Sequence, residues 1–425
     1  MKYKFVEFHN LVPFAAASLN QDDNGDPKTI PIGTATRTRV SSQALKRWAR
    51  TIPEEHPGSL RSILKGGKPL SRTFRSREIL LKKVFDPMIE THGIDPETAL
   101  LVVKGARDVI VGKPTGKTSE TPSPVEASEM ESTSDSKSTS DSNSTSKRGK
   151  SSKSRGVDLA KALEVPVAPW TDEEMNFILQ VSLAQAAKIK ENPSKKPSME
   201  DFKKNLKGFL DMPGIEAKLF GRLVTGDIES RIDGALHVAH AWTVHAAQAE
   251  LDFLTAVDDF SPQGSAFLGS RQLTSGILYL YSVVDTKMLS EHGEGDDVIQ
   301  QILRWWTGVQ AHPLPQTRKG STAPFESSSF LMVCKTNQMP QTLGQAFFRP
   351  VPMEGEGDLM LRTYARLGRY VREDLPLLDL FGRTSPEFRF LAKGERAEVL
   401  RALGEPFTAD RFLGLADLSR WASED

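Results

Sequence analysis

The sequence predicts an α+β fold, in which strands at the beginning, in the middle and late in the chain are separated by helical segments. Three short runs have the apolar, β-branched and aromatic content of strands: YKFVEFHNLV at 3–12, GILYLYSVVD at 276–285 and FLMVCK at 330–335. No internal repeat is present. At 425 residues, the chain has room for two or three compact units or for one large domain with insertions.

The N-terminal half continues from its opening strand into a polar loop and then into helices. The loop is NQDDNGD at 20–26, and the first helix is expected from Ser41 to Arg50. Residues 71–111 have a mixed, largely helical pattern, and helical periodicity returns at 157–220. Beyond the opening strand and the short strand-like run TRTRV at 36–40, this half is therefore predicted to be mainly helical.

A long segment between these helical regions has almost nothing to bury. Residues 113–156 are rich in serine, threonine and lysine, acidic in the middle and basic at the end. Such a composition does not offset the entropy lost on ordering, so the segment is predicted to be disordered. It is interpreted as a tolerated surface insertion, with a basic tether that touches nucleic acid as the alternative.

The middle of the chain predicts a helix followed by a hairpin. Residues 235–250 are a strong helix candidate, which would carry His237, His240 and His245. The first two lie one turn apart, so a metal site is one interpretation, but structural histidines are favoured. Residues 249–276 have turn-forming residues between two apolar flanks and predict a long hairpin. Roughly the last seventy residues are expected to be helical or irregular.

Bulk composition excludes several classes of protein. The single cysteine, Cys334, rules out an internal disulfide and fits a reducing compartment. No run reaches the roughly 20 apolar residues of a membrane helix. Polar residues also interrupt the N-terminal apolar run, which excludes a signal peptide. The protein is expected to be cytoplasmic and to have no membrane partner.

Charge is segregated although the net charge is zero. Residues 28–83 contain 14 lysines and arginines but only three glutamates and no aspartate. A neutral chain that concentrates its cations in one stretch has the electrostatic pattern expected for contact with a phosphate backbone. This stretch therefore predicts binding to nucleic acid.

The centre of the basic stretch is the strand-like TRTRV and the helix after it. Ser41 and Ser42 provide a natural N-cap, and the cations of the helix share one face while apolar residues face the core. Free N–H groups at a helix start suit phosphates, and nothing here specifies a base. The alternative is an ordinary solvated amphipathic helix. The candidate phosphate contacts are Lys28, Arg37, Arg39, Ser41, Ser42, Gln43, Lys46, Arg47 and Arg50.

The strongest enzymatic candidates are Asp22 and Asp23 in the polar loop. Two carboxylates in a mobile loop would suit a divalent ion for phosphodiester cleavage. The alternative, a solvated turn, is favoured. The sequence thus predicts no catalytic residue, no metal and no cofactor.

Three blocks of sequence resemble the backbone subunit of Cascade, the type I-E CRISPR surveillance complex. The first is LNQDD at 19–23 with RVSSQALKR at 39–47. The second is GRL at 221–223 with IDGA at 232–235 and VAHA at 238–241, and the third is FLTAVDD at 253–259 with GSAFLG at 264–269. The blocks span most of residues 3–285, whereas the C-terminal third matches only loosely.

The resemblance implies a hand-shaped subunit. Its palm would be a modified RNA-recognition-motif (ferredoxin-like) fold, with helical fingers inserted and a β-hairpin as the thumb. Several copies would stack along one guide RNA (crRNA), each thumb kinking it and displacing one base at every sixth position while target DNA pairs between thumbs. The implied boundaries are 1–59, 221–248 and 277–425 for the palm, 60–220 for the fingers and 249–276 for the thumb.

The resemblance also implies particular contacts and partners. It implies that the candidate phosphate contacts bind RNA, with the guide backbone held by Lys28, Ser41, Gln43, Lys46 and Arg50. Leu223 stands where the family has a methionine that wedges against a base. The implied partners are the guide RNA, the target DNA strand, further copies of this chain, the subunits that cap the two guide ends, and the large and small subunits. The expected role is non-catalytic, with a type III-like ribonuclease using Asp22 and Asp23 as the alternative. The implied thumb contacts are Phe253, Leu254, Thr255, Val257 and Leu268, and the weaker DNA contacts are Lys195, Lys196, Lys203, Lys204 and Lys207.

Overall fold

A computed structural model of the chain contains two compact units. The first consists of Met1–Leu70 and Ala235–Asp425, and the second of Ser71–Gly234. No helix in the described part of the chain is long and apolar enough to cross a membrane. The structure describes residues 1–56, 58–70, 73–111, 159–191, 214–222, 232–257, 265–355, 357–375 and 387–424.

Several predictions of the sequence lie outside the described residues. These are the disordered segment 113–156, the wedge residue Leu223, the tip of the hairpin at 258–264 and the lysines at 195–207.

The first unit is built on a large antiparallel sheet. The strands of this unit are β1 (Phe5–Ala17), β2 (Thr29–Ile32), β3 (Ala35–Val40), β4 (Leu64–Lys65), β5 (Lys68–Pro69), β8 (Leu236–Val238), β9 (Ala241–Thr243), β10 (Ala249–Val257), β11 (Ser265–Asp285), β12 (Phe330–Thr336) and β13 (Glu387–Ala392), with β6 (Thr73–Phe74) and β7 (Trp170–Thr171) in the second unit. The strands of the large sheet run in the order β13-β12-β1-β11-β9-β3-β2, and β10 and β8 also pair with β11. The predicted strands at 3–12, 276–285 and 330–335 are confirmed as β1, β11 and β12, although β1 begins at Phe5.

Helices cover both faces of this sheet, since successive residues of a strand point to opposite sides. Leu278 and Leu280 of β11 face the side of the first helix, whereas Tyr279 faces the side of the later helices. The helices of this unit are α1 (Ser42–Arg50), α6 (Thr286–Glu291), α7 (Asp296–Ala311), α8 (Lys319–Thr322), α9 (Leu359–Arg369), α10 (Arg396–Leu403) and α11 (Leu415–Ser423), and those of the second unit are α2 (Asp86–Glu90), α3 (Pro96–Val111), α4 (Asp172–Glu191) and α5 (Ile215–Phe220).

The predicted helix at 235–250 is wrong. These residues form β8, β9 and the start of β10, all of which pair with β11. Pairing with the long neighbouring strand satisfies the backbone N–H and C=O groups that a helix would satisfy locally, so tertiary context overrides the local pattern. Consequently His237 and His245 do not share a helix face, and among the described residues no cluster of three or more histidine, cysteine or acidic side chains could hold a metal.

Two further boundaries differ from the sequence interpretation. Residues 60–70, predicted as the start of the fingers, belong to the first unit, because the Leu64 backbone exchanges hydrogen bonds with the Gln301 side chain of α7. In the C-terminal region, predicted as helical or irregular, β13 pairs with β12 along its whole length. Both contacts join residues far apart in the chain, so no local pattern indicates them.

The second unit has its own apolar core, formed by helices α2 to α4 and the chain that leads into α4. A short wide helical turn, Leu81–Phe85, runs directly into α2. Trp170 and Arg222 are fully buried in this unit, and the Arg222 guanidinium lies 5.0 Å from the Trp170 ring. In chain order, this helical unit lies between the two segments that form the sheet-based unit.

A buried polar network crosses the centre of the sheet. Tyr281 donates its hydroxyl to Glu7 at 2.7 Å, and His9 Nδ1 lies 3.0 Å from the Tyr279 hydroxyl. The backbone N–H groups of Gln341 and Leu343 donate to Glu7 and Tyr279, so the network holds the 341–343 loop against the sheet. Burial lowers the pKa of His9 to about 3.

This pKa predicts a loss of stability in mild acid. The unfolded chain protonates His9 near pH 6.5, whereas the folded chain keeps it neutral down to about pH 3. The unfolded state therefore binds the extra proton, and His9 should reduce the free energy of unfolding at pH 5 by about 2 kcal/mol relative to pH 7. Urea unfolding at the two pH values measures this difference, and His9→Gln should reduce it. The exposed His237→Gln serves as the control, and an unchanged difference in His9→Gln would contradict the assignment.

Candidate nucleic-acid interface

Helix α1 begins at Ser42, one residue after the predicted start, and Ser41 is its N-cap. The Ser41 hydroxyl accepts a hydrogen bond from the Ala44 N–H at 3.2 Å, which fixes the first turn. The N–H groups of Ser42 and Gln43 belong to the part of a helix that has no intrahelical acceptor. No acidic residue occupies the first turn, so an anion here meets the positive end of the helix dipole without competition from a carboxylate of that turn.

Asn20 joins the polar loop to this helix start. Its side-chain oxygen accepts from the Ser41 N–H at 2.8 Å, and its backbone carbonyl accepts from the Lys28 N–H at 2.8 Å. The Arg39 N–H in turn donates to the Lys28 carbonyl at 2.8 Å. Lys28, Arg39 and the start of α1 are thereby brought together although they are separated in sequence.

The cations of α1 are accessible to solvent to different degrees. Leu45 and Ala49 are the buried residues of α1, so the cations that follow each of them lie on the more accessible side of the helix. Arg47 is exposed, and Lys46 and Arg50 are half-buried. The first unit thus presents a surface that we call the α1 surface, formed by Lys28, Arg39, Ser42, Gln43, Lys46, Arg47 and Arg50. Ser41, which was also predicted as a contact, is buried and caps the helix beneath this surface.

Arg37 does not belong to the α1 surface, although it was predicted as an RNA contact. Its side chain is fully buried and lies 5.8 Å from the Trp242 ring. Its guanidinium donates to the backbone carbonyls of Thr243, Phe347 and Phe348 at 3.1, 2.9 and 3.3 Å. Arg37 and Arg39 are two residues apart in strand β3, so they share a face. The charge pattern alone therefore does not show that tertiary packing buries Arg37.

The two aspartates of the polar loop have different surroundings. Asp22 accepts from the backbone N–H groups of Asn24 and Asp26 at 2.9 and 3.0 Å, which is the turn chemistry of a short polar side chain. Asp23 is exposed beside it. No third histidine, cysteine or acidic side chain of the described chain completes a metal-binding group.

Arg318 is a basic residue beside this loop that the sequence interpretation missed. Its guanidinium donates to the Gln21 side chain at 3.2 Å, so it borders the polar loop that precedes Lys28. The two residues are far apart in sequence, and Arg318 lies outside the basic stretch, which explains why charge patterning did not indicate it.

The predicted hairpin is confirmed, and the structure distinguishes its two faces. Phe253 pairs with Ser270 and Thr255 with Leu268, so these four residues share one face. On that face Phe253 and Leu268 are 67% and 73% exposed, which is unusual for large apolar side chains.

Leu251 lies on the same face and was missed by the sequence interpretation. It is 50% exposed and precedes Phe253 by two residues, which is the strand period. Leu254, predicted to act with Phe253, instead lies on the opposite face of the strand. The period-2 pattern could have indicated both facts. We call Leu251, Phe253 and Leu268 the apolar hairpin face; Val257 lies in β10 at the hairpin's distal end.

These features define a mixed α/β protein with a large antiparallel sheet, a basic surface at a helix start and an exposed apolar hairpin. Residues 6–404 match the model of the CT1975-like protein family, so the chain belongs to this family.

Solved structures share the fold over the whole chain. One chain, from a structure described as a CRISPR RNA-guided surveillance complex, pre-nicking, is 21% identical with a TM-score of 0.69, and the match covers 99% of each chain. Another, from a CRISPR RNA-guided surveillance complex, is 19% identical with a TM-score of 0.61, again over 99% of each chain. No curated protein matches the sequence.

Proposed function

We propose that this protein is a non-catalytic, guide-RNA-binding backbone subunit of a CRISPR surveillance complex of type I-E. The single observation that carries the proposal is the α1 surface, where Asn20 joins Lys28 to the capped start of α1 beside Lys46 and Arg50. Backbone N–H groups and flexible cations bind phosphates without reading bases. A protein that accepts guides of many sequences must bind them in this way. The shared fold with chains of surveillance complexes supports the same function.

The proposal includes a mode of assembly. The sheet unit acts as an RNA-recognition-like palm, the helical unit as fingers and the hairpin as a thumb that reaches a neighbouring copy. The apolar hairpin face meets bases rather than phosphates, because the same strand carries Glu250 and Asp252, which repel a phosphate backbone. Copies polymerise along the guide, kink it at every sixth nucleotide and present it to target DNA, with the other Cascade subunits at its ends and along its length.

The binding step is tested on the full chain with single-stranded RNA. Affinity should fall steeply with salt, by a slope of about −0.7 in log K against log salt for each phosphate neutralised, and should vary little with sequence. Lys46→Gln with Arg50→Gln should make the slope shallower by about 1.4. The matched control is Lys287→Gln with Arg420→Gln, which removes exposed cations from α6 and α11. A salt-independent affinity, or a marked preference for one sequence, would contradict the proposal.

The ribonuclease alternative is tested separately. If Asp22 and Asp23 held a divalent ion, the assembled complex would cleave target RNA in magnesium, and Asp23→Asn would abolish the cleavage. We expect no cleavage, because Asp22 is already engaged by the turn that it stabilises.

A further inference from the structure

The first unit has a basic pocket in addition to the α1 surface, on the face of the sheet opposite α1. It occupies about 520 Å³ between the 345–349 segment and the end of α9. Three arginines converge on it, Arg349, Arg366 and Arg369. Helix α9 packs through Leu367 with Tyr279, whereas α1 packs through Leu45 with Leu278 and Leu280, so the two basic regions lie on opposite faces of the sheet.

The positive charge of this pocket is only partly balanced. Within the described residues, the guanidinium groups of Arg349 and Arg366 make no hydrogen bond or ion pair. Burial and the neighbouring charges of Arg349 and Arg369 lower the pKa of Arg366, so like charges are held close together there. Arg369 donates to Glu373 at 2.9 Å, but both side chains are exposed and such pairs are weak. Among the lining residues that the structure describes, Asp374 is the one carboxylate, so an anion would relieve the remaining repulsion.

An exposed aromatic ring forms another wall. Phe348 is 51% exposed, and its ring lies 6.3 Å from Trp242. Its backbone carbonyl accepts from the buried Arg37 and also faces Gly33, where any side chain would collide with it. The ring is therefore exposed to solvent, while the backbone that carries it is held by a buried guanidinium. An exposed ring on a fixed backbone can stack on a base, which a ring in the core cannot do.

The helix that carries the arginines changes its winding at the pocket. After Arg369, α9 continues as a wide π-type turn from Tyr370 to Asp374, and both of these residues line the pocket. Such turns cost hydrogen-bond geometry and occur frequently at functional sites. The Tyr370 hydroxyl donates to Gln345 at 3.0 Å, which ties this turn to the opposite wall.

We propose that this pocket binds one nucleotide of a single-stranded nucleic acid, with the phosphate on Arg349 and Arg366 and the base against Phe348. Arginine forks suit phosphate oxygens, and a base of any identity stacks on an aromatic ring. An acidic protein segment would use the arginines but not the ring, so the combination favours a nucleotide. The site is separate from the α1 surface, and each subunit therefore contacts nucleic acid at two places.

The test isolates the pocket in a full chain whose α1 surface carries Lys46→Gln and Arg50→Gln. Binding of short fluorescein-labelled oligothymidylate and oligouridylate is measured by anisotropy at low salt. Adding Arg349→Gln and Arg366→Gln should weaken binding about tenfold and make the salt slope shallower by about 1.4. Adding Phe348→Ala should weaken it at least about fivefold without changing the slope. Arg401→Gln on the exposed face of α10 is the matched control.

Each outcome decides the proposal independently of the α1 surface. Unchanged affinity in the arginine variant would overturn the pocket while leaving the guide-binding proposal intact, because the α1 substitutions are constant. If polyglutamate displaces the oligonucleotide and Phe348→Ala leaves the affinity unchanged, the occupant is an acidic protein segment. That result would also overturn the proposal. If thymidine monophosphate saturates the pocket with the same affinity as the oligonucleotide, the pocket binds free nucleotides and not a strand. That result would overturn the proposal. Arg349→Lys with Arg366→Lys should keep the salt slope, which excludes misfolding as the cause of the loss.

Discussion

Replacing Phe253 and Leu268 together by alanine is expected to abolish the periodic displacement of guide bases while leaving the subunit folded and bound to RNA. Both side chains are mostly exposed in the single chain, so their truncation removes little buried apolar area. A base stacked on an aromatic ring contributes roughly 1–3 kcal/mol, so each displaced base would lose most of its stabilisation. Chemical probing of the guide in the assembled complex should show a flattened pattern in place of a six-nucleotide repeat.

The hairpin supplies its own control. Leu254 is in the same strand as Phe253 but on the opposite face, so Leu254→Ala should preserve the repeat. Leu251→Ala should weaken it, since Leu251 shares the face of Phe253 and Leu268. If the double variant is unfolded, the two residues belong to a core. If the repeat persists in the double variant, the hairpin is not the element that displaces the bases.

Replacing Arg222 by methionine is expected to destabilise the helical unit by about 3–5 kcal/mol, because the partner carboxylate stays buried without its charge partner. Arg222 Nη1 donates to Glu174 Oε1 at 2.6 Å, and both side chains are almost completely buried. Glu174 also caps α4, since its other oxygen accepts from the Thr171 N–H at 2.7 Å while the Thr171 hydroxyl accepts from the Glu174 N–H. Urea unfolding and limited proteolysis of the full chain measure the loss.

Two companion variants separate the charge effect from packing. Arg222→Met combined with Glu174→Gln should recover much of the stability, because the uncompensated charge is removed and the cap is partly kept. Arg77→Met breaks an ion pair with Glu164 in the same unit, but both side chains are exposed there, so the change should be within about 0.5 kcal/mol. Equal losses in Arg77→Met and Arg222→Met would contradict the assigned role of the buried pair.

Several elements could be predicted from the sequence because local chemistry determines them. Ser41 predicts the start of α1 because a hydroxyl can satisfy the first N–H groups, and the structure confirms this cap. Turn residues between apolar flanks predict the hairpin of β10 and β11, and β-branched and aromatic runs predict β1 and β12. Each of these signals acts between residues close together in the chain, so it is present in the sequence itself.

Other features depended on contacts between distant residues. The 235–250 segment has a helical pattern but becomes strands, because β11 offers it backbone partners along its edge. Arg37 and Arg39 are alike in sequence and belong to one strand, yet packing against Trp242 and the 347–348 carbonyls buries one of them. Strand β13 forms on β12 for the same reason.

The sequence by itself therefore determined the α+β class, the capped basic helix and the hairpin, whose signals are local in periodicity, capping and turn chemistry. Only the tertiary structure decided which arginines reach solvent, and that Phe348 and three C-terminal arginines meet in one pocket. The physical reason is that exposure and convergence are set by packing between strands and helices far apart in the chain. A composition or a period carries no information about that packing.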